Sequence, residues 1–358
     1  MKIRVAHIVN PTFGTVFSGH THYLFSLLSG WQGEEISLDL YGPKIKPLNM
    51  NSGNQNYKLP NGTFWSNPQR LDRKGRIRWT FDLLHLLIKR RNEYDIAHFH
   101  SLGWGGLLSP LLLHLLDKKV VFTMSLFGND NPSHILGQPR GRLQVALMRN
   151  FDGAIGLSPA LVEDAKSHDI NNVICLRNFL AIPQLEEEIK ISEMEEIRKS
   201  ICENFGIPRN SKLLLFIGAI IHRKGVDVLI DTFIKLSQKH KDQVLVLVGP
   251  KSKEESTHID EDYVSKLQNK INQANLKSKV LWIGMVRDQS KLVELYRTAD
   301  IFVFPTRNEG SPNVLAEAMA AGLPVVTSLL PGITDGIVSE GESGCLVDPI
   351  TILTWNIS

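Results

Sequence analysis

The chain has 358 residues, 42% of them hydrophobic and 22% charged, a length beyond one hydrophobic core and a balance that excludes a disordered chain or a multispanning membrane protein. A net charge of +3 excludes the strongly basic stripe of a nucleic-acid binder but allows a small anionic ligand. Three cysteines without close spacing, Cys175, Cys202 and Cys345, exclude a disulfide framework or a zinc knuckle and point to a reducing compartment.

In chain order, the first apolar run, 3–9, is broken by Arg4 and His7, so a strand is expected there and not an export signal. Further strands are expected at 36–41, 96–99, 120–123, 154–157 and 173–176, with helices near 20–30, 77–91, 104–116, 140–150 and 159–168. The apolar run 102–116 contains Gly103, Gly105, Gly106, Pro110 and His114 and falls short of the ~20 residues that span a bilayer. It reads as a buried helix. The segment 70–91 mixes basic residues with Trp79, Phe81 and leucines, and is open to two readings: a helix that docks on anionic lipid, or a core-packed helix with a basic rim.

The alternation breaks at 178–183, and the charged stretch 186–200 follows, which sets the expected domains at 1–180 and 181–358. A second alternation then runs through strands 213–217, 244–248, 280–283, 301–304 and 325–327, with helices 225–239, 260–274, 289–298 and 313–321 between them. The expected fold class is α/β, with two doubly wound, Rossmann-like parallel-sheet domains. The turn after the first strand, 10–19, carries no G-x-G-x-x-G, so dinucleotide binding is not expected there. No Walker loop or nucleophile signature is present either.

The segment 304–326 carries the most chemistry. Its strand, loop and helix place Glu309 at the C-terminal edge of a parallel sheet, where open α/β sheets bind ligands. Ser311 reads as the helix N-cap and Pro312 as the first helical residue, which leaves N–H groups from Asn313 onward as an anion site. Glu317 lies eight residues after Glu309. Two carboxylates would repel a diphosphate, so neutral hydroxyls are their expected partners, and a nucleotide sugar offers both kinds of group. Arg223 and Lys224, after strand 213–217, are cations suited to a diphosphate whose charge grows on leaving, with no metal needed.

Two metal motifs are weighed and set aside. His98 and His100 share one face of a strand, but no carboxylate or thiolate completes a ligand set. Asp260 and Asp262 have Asp-x-Asp spacing but open a surface helix.

The segments 309–326 and 218–230 resemble those of the retaining family-4 glycosyltransferases, which have the two-domain GT-B fold and an E-x(7)-E motif; the resemblance spans nearly the whole chain. It implies that Glu309 meets the donor sugar's hydroxyls, Glu317 the ribose, and the backbone of Gly310, Ser311, Asn313 and Val314 the sugar and phosphates. Lys224 matches the family's phosphate lysine, with Arg223 standing in for an arginine that the family carries where this chain has Ala219. In the stretch 281–291, the backbone of Met285 and Val286 would meet the nucleobase, Lys291 would assist, and Trp282 is read as core. His100 would sit in the cleft near donor sugar and acceptor, and Gly19 would admit the sugar phosphate; His98 is read as structural. The implied protein is a cytoplasmic transferase, at most peripheral to the inner face of the cell membrane. It would move a sugar from a UDP-sugar to a polysaccharide or lipid-linked glycan, without cofactor or metal and without nucleic acid. Two alternatives are a nucleotide-sugar epimerase of the same fold and a non-catalytic subunit, the latter motivated by Ala219 and by Phe127, where the family often has histidine.

Overall fold

A computed structural model describes residues 3–8, 36–43, 64–67, 73–100, 102–178, 191–256 and 258–348. Two compact units divide the chain, Met1–Ala181 and Ile182–Ser358. The expected helix at 20–30 and the loop 10–19 with Gly19 lie outside the described residues.

In the first unit, β1 (Ile3–Ile8), β2 (Ile36–Pro43), β3 (Phe64–Asn67), β4 (Ile96–Phe99), β5 (Lys119–Met124), β6 (Gly153–Gly156) and β7 (Val173–Cys175) form one parallel sheet in the order β3-β2-β1-β4-β5-β6-β7. Helices α1 (Arg73–Lys89), α2 (Trp104–Leu113), α3 (Pro132–Leu136), α4 (Gly141–Met148) and α5 (Pro159–Ser167) join them. Parallel strands are covered on both faces and need apolar residues throughout. Accordingly Ala6, Phe99, Val120, Phe122 and Met124 are buried against Leu83 and Leu87 of α1, Leu107 and Leu113 of α2, and Met148 of α4. Between α1 and α2 the fit is close: a Cβ on Gly105 would stand 3.3 Å from the Thr80 backbone.

The second unit opens with α6 (Ile191–Phe205) and continues β8 (Lys212–Ile217), α7 (Val226–Lys239), β9 (Gln243–Val248), α8 (Glu261–Gln273), β10 (Val280–Gly284), α9 (Gln289–Thr298), β11 (Ile301–Phe304), α10 (Asn313–Ala320), β12 (Val325–Ser328) and β13 (Gly344–Val347). Its sheet is also parallel, in the order β10-β9-β8-β11-β12-β13, over a core that includes Phe216, Phe233, Phe302 and Phe304. Counted from its own first strand, the second sheet runs 3-2-1-4-5-6, the Rossmann order, and the first runs the same way with a seventh strand added at its edge. The order in which strands are laid down therefore reverses between β1 and β4 in one unit and between β8 and β11 in the other, and at such points an open sheet leaves a crevice beyond its strand ends.

Several expectations need correction. The charged stretch 186–200, for which no helix was expected, contains most of α6, a helix of the second unit. Arg198 fixes it there by donating to Thr298 O (2.6 Å) and Ser211 O (2.7 Å) and pairing with Asp300 (3.2 Å). The short edge strands β3 and β13 were not foreseen. The helix expected at 104–116 ends at Leu113 and tightens into a 3-10 turn, His114–Leu116, closed by Asp117 in the left-handed region (φ 55°). Among the described residues, no helix is long and apolar enough to cross a membrane.

Candidate functional site

In the second unit, two loops leave the sheet at its reversal point and are tied to each other. The loop after β8 forms a 3-10 turn, His222–Lys224, and ends at Gly225 (φ +71°), where a Cβ would lie 1.8 Å from Pro305 O. Only glycine tolerates both the backbone angle and the approach. The loop after β11 answers with Arg307 N donating to Arg223 O (2.8 Å), while the Arg307 guanidinium donates to His222 O (2.6 Å) and pairs with Asp227 (2.7 Å). Tyr263 Oη on α8 donates to the same Asp227 carboxylate (2.9 Å). Sequence reading missed this brace because its three side chains come from three segments.

The brace holds Lys224 and Glu309 together. Lys224 Nζ lies 2.5 Å from Glu309 Oε1 and 4.8 Å above the Phe304 ring, with only 15% and 8% of the two side chains exposed. Arg223 approaches the same oxygen at 3.2 Å and donates to Asn308 O (2.6 Å); Thr306 Oγ1 donates to Glu309 Oε1 (2.9 Å). Burial alone would raise the Glu309 carboxyl, but the charges of Lys224 and Arg223 and the bonds from Lys224 and Thr306 hold it below its ordinary value. For Lys224, burial and the like charge of Arg223 lower the ammonium, opposed by Glu309. Two cations face one anion, so the cluster keeps a net positive charge in a desolvated crevice. The carboxylate expected to repel a diphosphate is thus already compensated.

Helix α10 starts one residue later than expected: Pro312 is its N-cap and Asn313 its first residue, because Ser311 makes no cap bond and Leu315 N already donates to Pro312 O (3.2 Å). Gly310 is buried and Ser311, Asn313 and Val314 are half-buried along this turn. Glu317 stands half-buried one and a half turns on, its Oε2 accepting from Tyr296 Oη of α9 (2.6 Å). Burial and the Glu317 charge raise the Tyr296 phenol well above its usual value, so it stays a donor. Tyr296 was not singled out in the sequence, where it reads as one more apolar position of a helix.

At the far edge of the sheet, Met285 and Val286 are half-buried after β10, and Met285 N donates to Glu255 Oε1 (3.3 Å). Lys291 is exposed on the first turn of α9 and Trp282 packs partly buried against the core. Asp260 is the N-cap of α8, accepting from Asp262 N and Tyr263 N.

In the first unit, the reversal point carries histidines. Parallel pairing sets His7 of β1 beside His98 of β4, and His100 follows on the same face. All three are buried. His7 Nδ1 and His100 Nε2 share a hydrogen bond of 2.7 Å, His98 Nε2 bonds to Thr123 Oγ1 of β5 (2.7 Å), and the rings of His98 and His100 lie 4.1 Å apart. Burial lowers the His7 imidazole to about 4, which keeps it neutral at pH 7. Beside His98 and His100, which no carboxylate or thiolate joins in the sequence, the neighbouring strand places the His7 imidazole.

Two parallel-sheet units of Rossmann order, one holding a buried lysine–glutamate pair at its reversal point, define a two-domain α/β protein of the GT-B class. Solved structures agree over the whole chain. HepE from Anabaena, solved in complex with UDP, has a TM-score of 0.70 at 17% identity, covering 98% of this chain and 86% of that one. Sucrose-phosphate synthase from Thermosynechococcus elongatus has a TM-score of 0.73 at 17% identity, covering 98% and 87%. Residues 197–352, which contain β8 to β13, match the model of the glycosyl transferases group 1 family. A D-inositol 3-phosphate glycosyltransferase from Corynebacterium urealyticum is 33% identical over 275 residues, 74% of this chain and 62% of that protein. An uncharacterized glycosyltransferase from Methanocaldococcus jannaschii is 32% identical over 166 residues, 46% of this chain and 38% of that protein. The chain thus spans less than two thirds of these curated relatives.

Proposed function

We propose that the chain transfers a sugar from a nucleoside-diphosphate sugar, a UDP-sugar in the first instance, to a hydroxyl acceptor with retention of anomeric configuration. The observation that carries this reading is the buried Lys224–Glu309 pair with Arg223 at the reversal point of the second sheet. Lys224 and Arg223 would take the diphosphate, whose leaving oxygen gains charge in the transition state. Glu309 would pass to the sugar's hydroxyls as the phosphates claim its cations, the α10 N-terminus would hold phosphate or sugar oxygens, and Glu317, oriented by Tyr296, would hold the ribose. Met285, Val286 and Lys291 would serve the base, and His100 and Gly19 the sugar and acceptor. HepE's capture with UDP favours a uridine donor. A capsular polysaccharide biosynthesis glycosyltransferase from Staphylococcus aureus, 33% identical over 155 residues, favours a glycan acceptor, while the inositol-phosphate relative keeps small phosphorylated acceptors in the same test.

A panel of UDP- and GDP-sugars, with glycan, glycolipid and sugar-phosphate acceptors and NMR of the product anomer, tests the reading. An inverted product would remove retention, a changed donor without acceptor would support the epimerase, and no turnover with any donor would leave the non-catalytic subunit. Transfer should continue in excess EDTA, since side chains alone supply the cations. Complete loss restored by Mg²⁺ or Mn²⁺ would refute metal-independent diphosphate binding.

We infer a peripheral membrane contact from exposed residues of the first unit: Phe81 and Ile88 of α1 and Trp104, Leu108 and Leu111 of α2 are exposed apolar residues, and Arg78, Lys89 and Arg91, in or just after α1, are exposed too. Co-sedimentation with anionic but not neutral vesicles is the expected result, lost in Phe81→Ser with Leu111→Ser.

A further inference from the structure

The imidazoles of His7, His98 and His100 each present a ring nitrogen, and these three atoms lie within 4.8 Å of one another. Tetrahedral zinc at 2.0–2.1 Å from each nitrogen separates its ligands by about 3.3 Å. The His7–His100 separation of 2.7 Å would have to open by about 0.6 Å, replacing one hydrogen bond by two metal bonds. With His98 ligating through Nδ1, its Nε2–H would donate to Thr123 Oγ1, the kind of bond that orients metal-bound imidazoles from outside the coordination sphere.

We infer that His7, His98 and His100 form a binding site in the first unit for a divalent first-row transition-metal ion, zinc foremost. Three imidazoles suit zinc, cobalt, nickel or copper over magnesium or calcium, which prefer oxygen, and they leave a fourth position open. All three ligands belong to the first unit, whereas the cations proposed for the diphosphate belong to the second. The two readings share His100, proposed above for the sugar and acceptor, but the zinc site rests on His7 and His98 as well and is read out by metal binding alone.

The full chain, stripped with a chelator, is titrated with Zn²⁺ against a chromophoric competitor, and X-ray absorption is recorded on the loaded protein. One equivalent per chain and an imidazole-rich sphere are expected. Thr123→Val keeps the side chain's size while removing its hydroxyl, and should weaken zinc about 10- to 100-fold. His7→Gln should abolish stoichiometric binding. Should His7→Gln fail to fold, the wild-type chain loaded with Co²⁺ decides, by the intense visible bands of tetrahedral nitrogen ligation. No stoichiometric zinc, a sphere without imidazole, or unchanged affinity in folded His7→Gln overturns the site. UDP binding followed in the same samples reports separately on the proposed function.

Discussion

Lys224 and Glu309 lie far apart in the chain yet share one partly buried hydrogen bond, so changing either alters the other's surroundings. Lys224→Ala should lower turnover on the order of 10²-fold and raise the donor KM, because a lysine at the leaving oxygen acts more strongly in the transition state than in the bound donor. Breaking a buried ion pair also costs about 3–5 kcal/mol, less here to the extent that Arg223 and Thr306 still hold the carboxylate. Kinetics of the folded variant decide, and wild-type turnover would remove Lys224 from the chemistry. Glu309→Gln is expected to act in the opposite sense on the nucleotide: Lys224 and Arg223 lose their anion, so UDP binding holds or tightens while turnover falls. Glu317→Ala should weaken UDP. Calorimetry with UDP separates the two, and equal binding by both variants would sink these assignments. From the sequence, the types and spacing of these residues were legible, but their pairing was not. No local pattern records that β8 and β11 lie side by side, or that Tyr296 reaches Glu317.

At the scale of elements, the hinge between chemistry and fold is Gly225. Gly225→Ala would force a Cβ into Pro305 O and strain a left-handed residue, displacing the turn that carries Lys224. Donor affinity should fall more than overall stability does, as a UDP titration beside a urea melt would show; an unchanged affinity counts against the brace. Helix α6 is held otherwise. Arg198→Ala removes partly buried, charge-assisted bonds to Thr298 O and Ser211 O and should destabilise the second unit by about 1.5–3 kcal/mol in urea unfolding. A change within about 0.5 kcal/mol would mean a solvated arginine. The helical signal was present in the sequence, since Met194, Ile197 and Ile201 recur at helical spacing. The dense charge around them hid it, because an amphipathic helix on a unit's surface and a connector share that composition. Edge strands β3 and β13, at four residues each, are too short for a period to stand out.

For the whole molecule, the two parallel sheets were legible because strands buried on both faces must be apolar without interruption, and their Rossmann order follows from right-handed crossovers. Acid should loosen both units. Burial would raise Asp152, Asp227, Asp300 and Glu309, yet hydrogen bonds and cations outweigh it, and a hydrogen bond from Arg4 lowers Asp95. A carboxyl lowered in the folded state contributes stability that is complete above about pH 4 and lost as pH falls through its folded value. Asp130, raised by burial, works the other way in the first unit. Urea midpoints should therefore fall from about pH 5 to about pH 3, and a flat profile would contradict the ion pairs.

The sheet order also sets a timetable for synthesis. β1 is made first but sits in the middle of its sheet, and Val5 must wait for Ile96 before its second edge is paired. β8 waits in the same way, Leu214 for Ile301. Such distant pairings form slowly, and until they do, each nascent unit presents an open, apolar strand to its neighbours. A chain halted between β9 and β11 would carry β8 with one bare edge, and it is at that length on the ribosome that this protein should most need a chaperone.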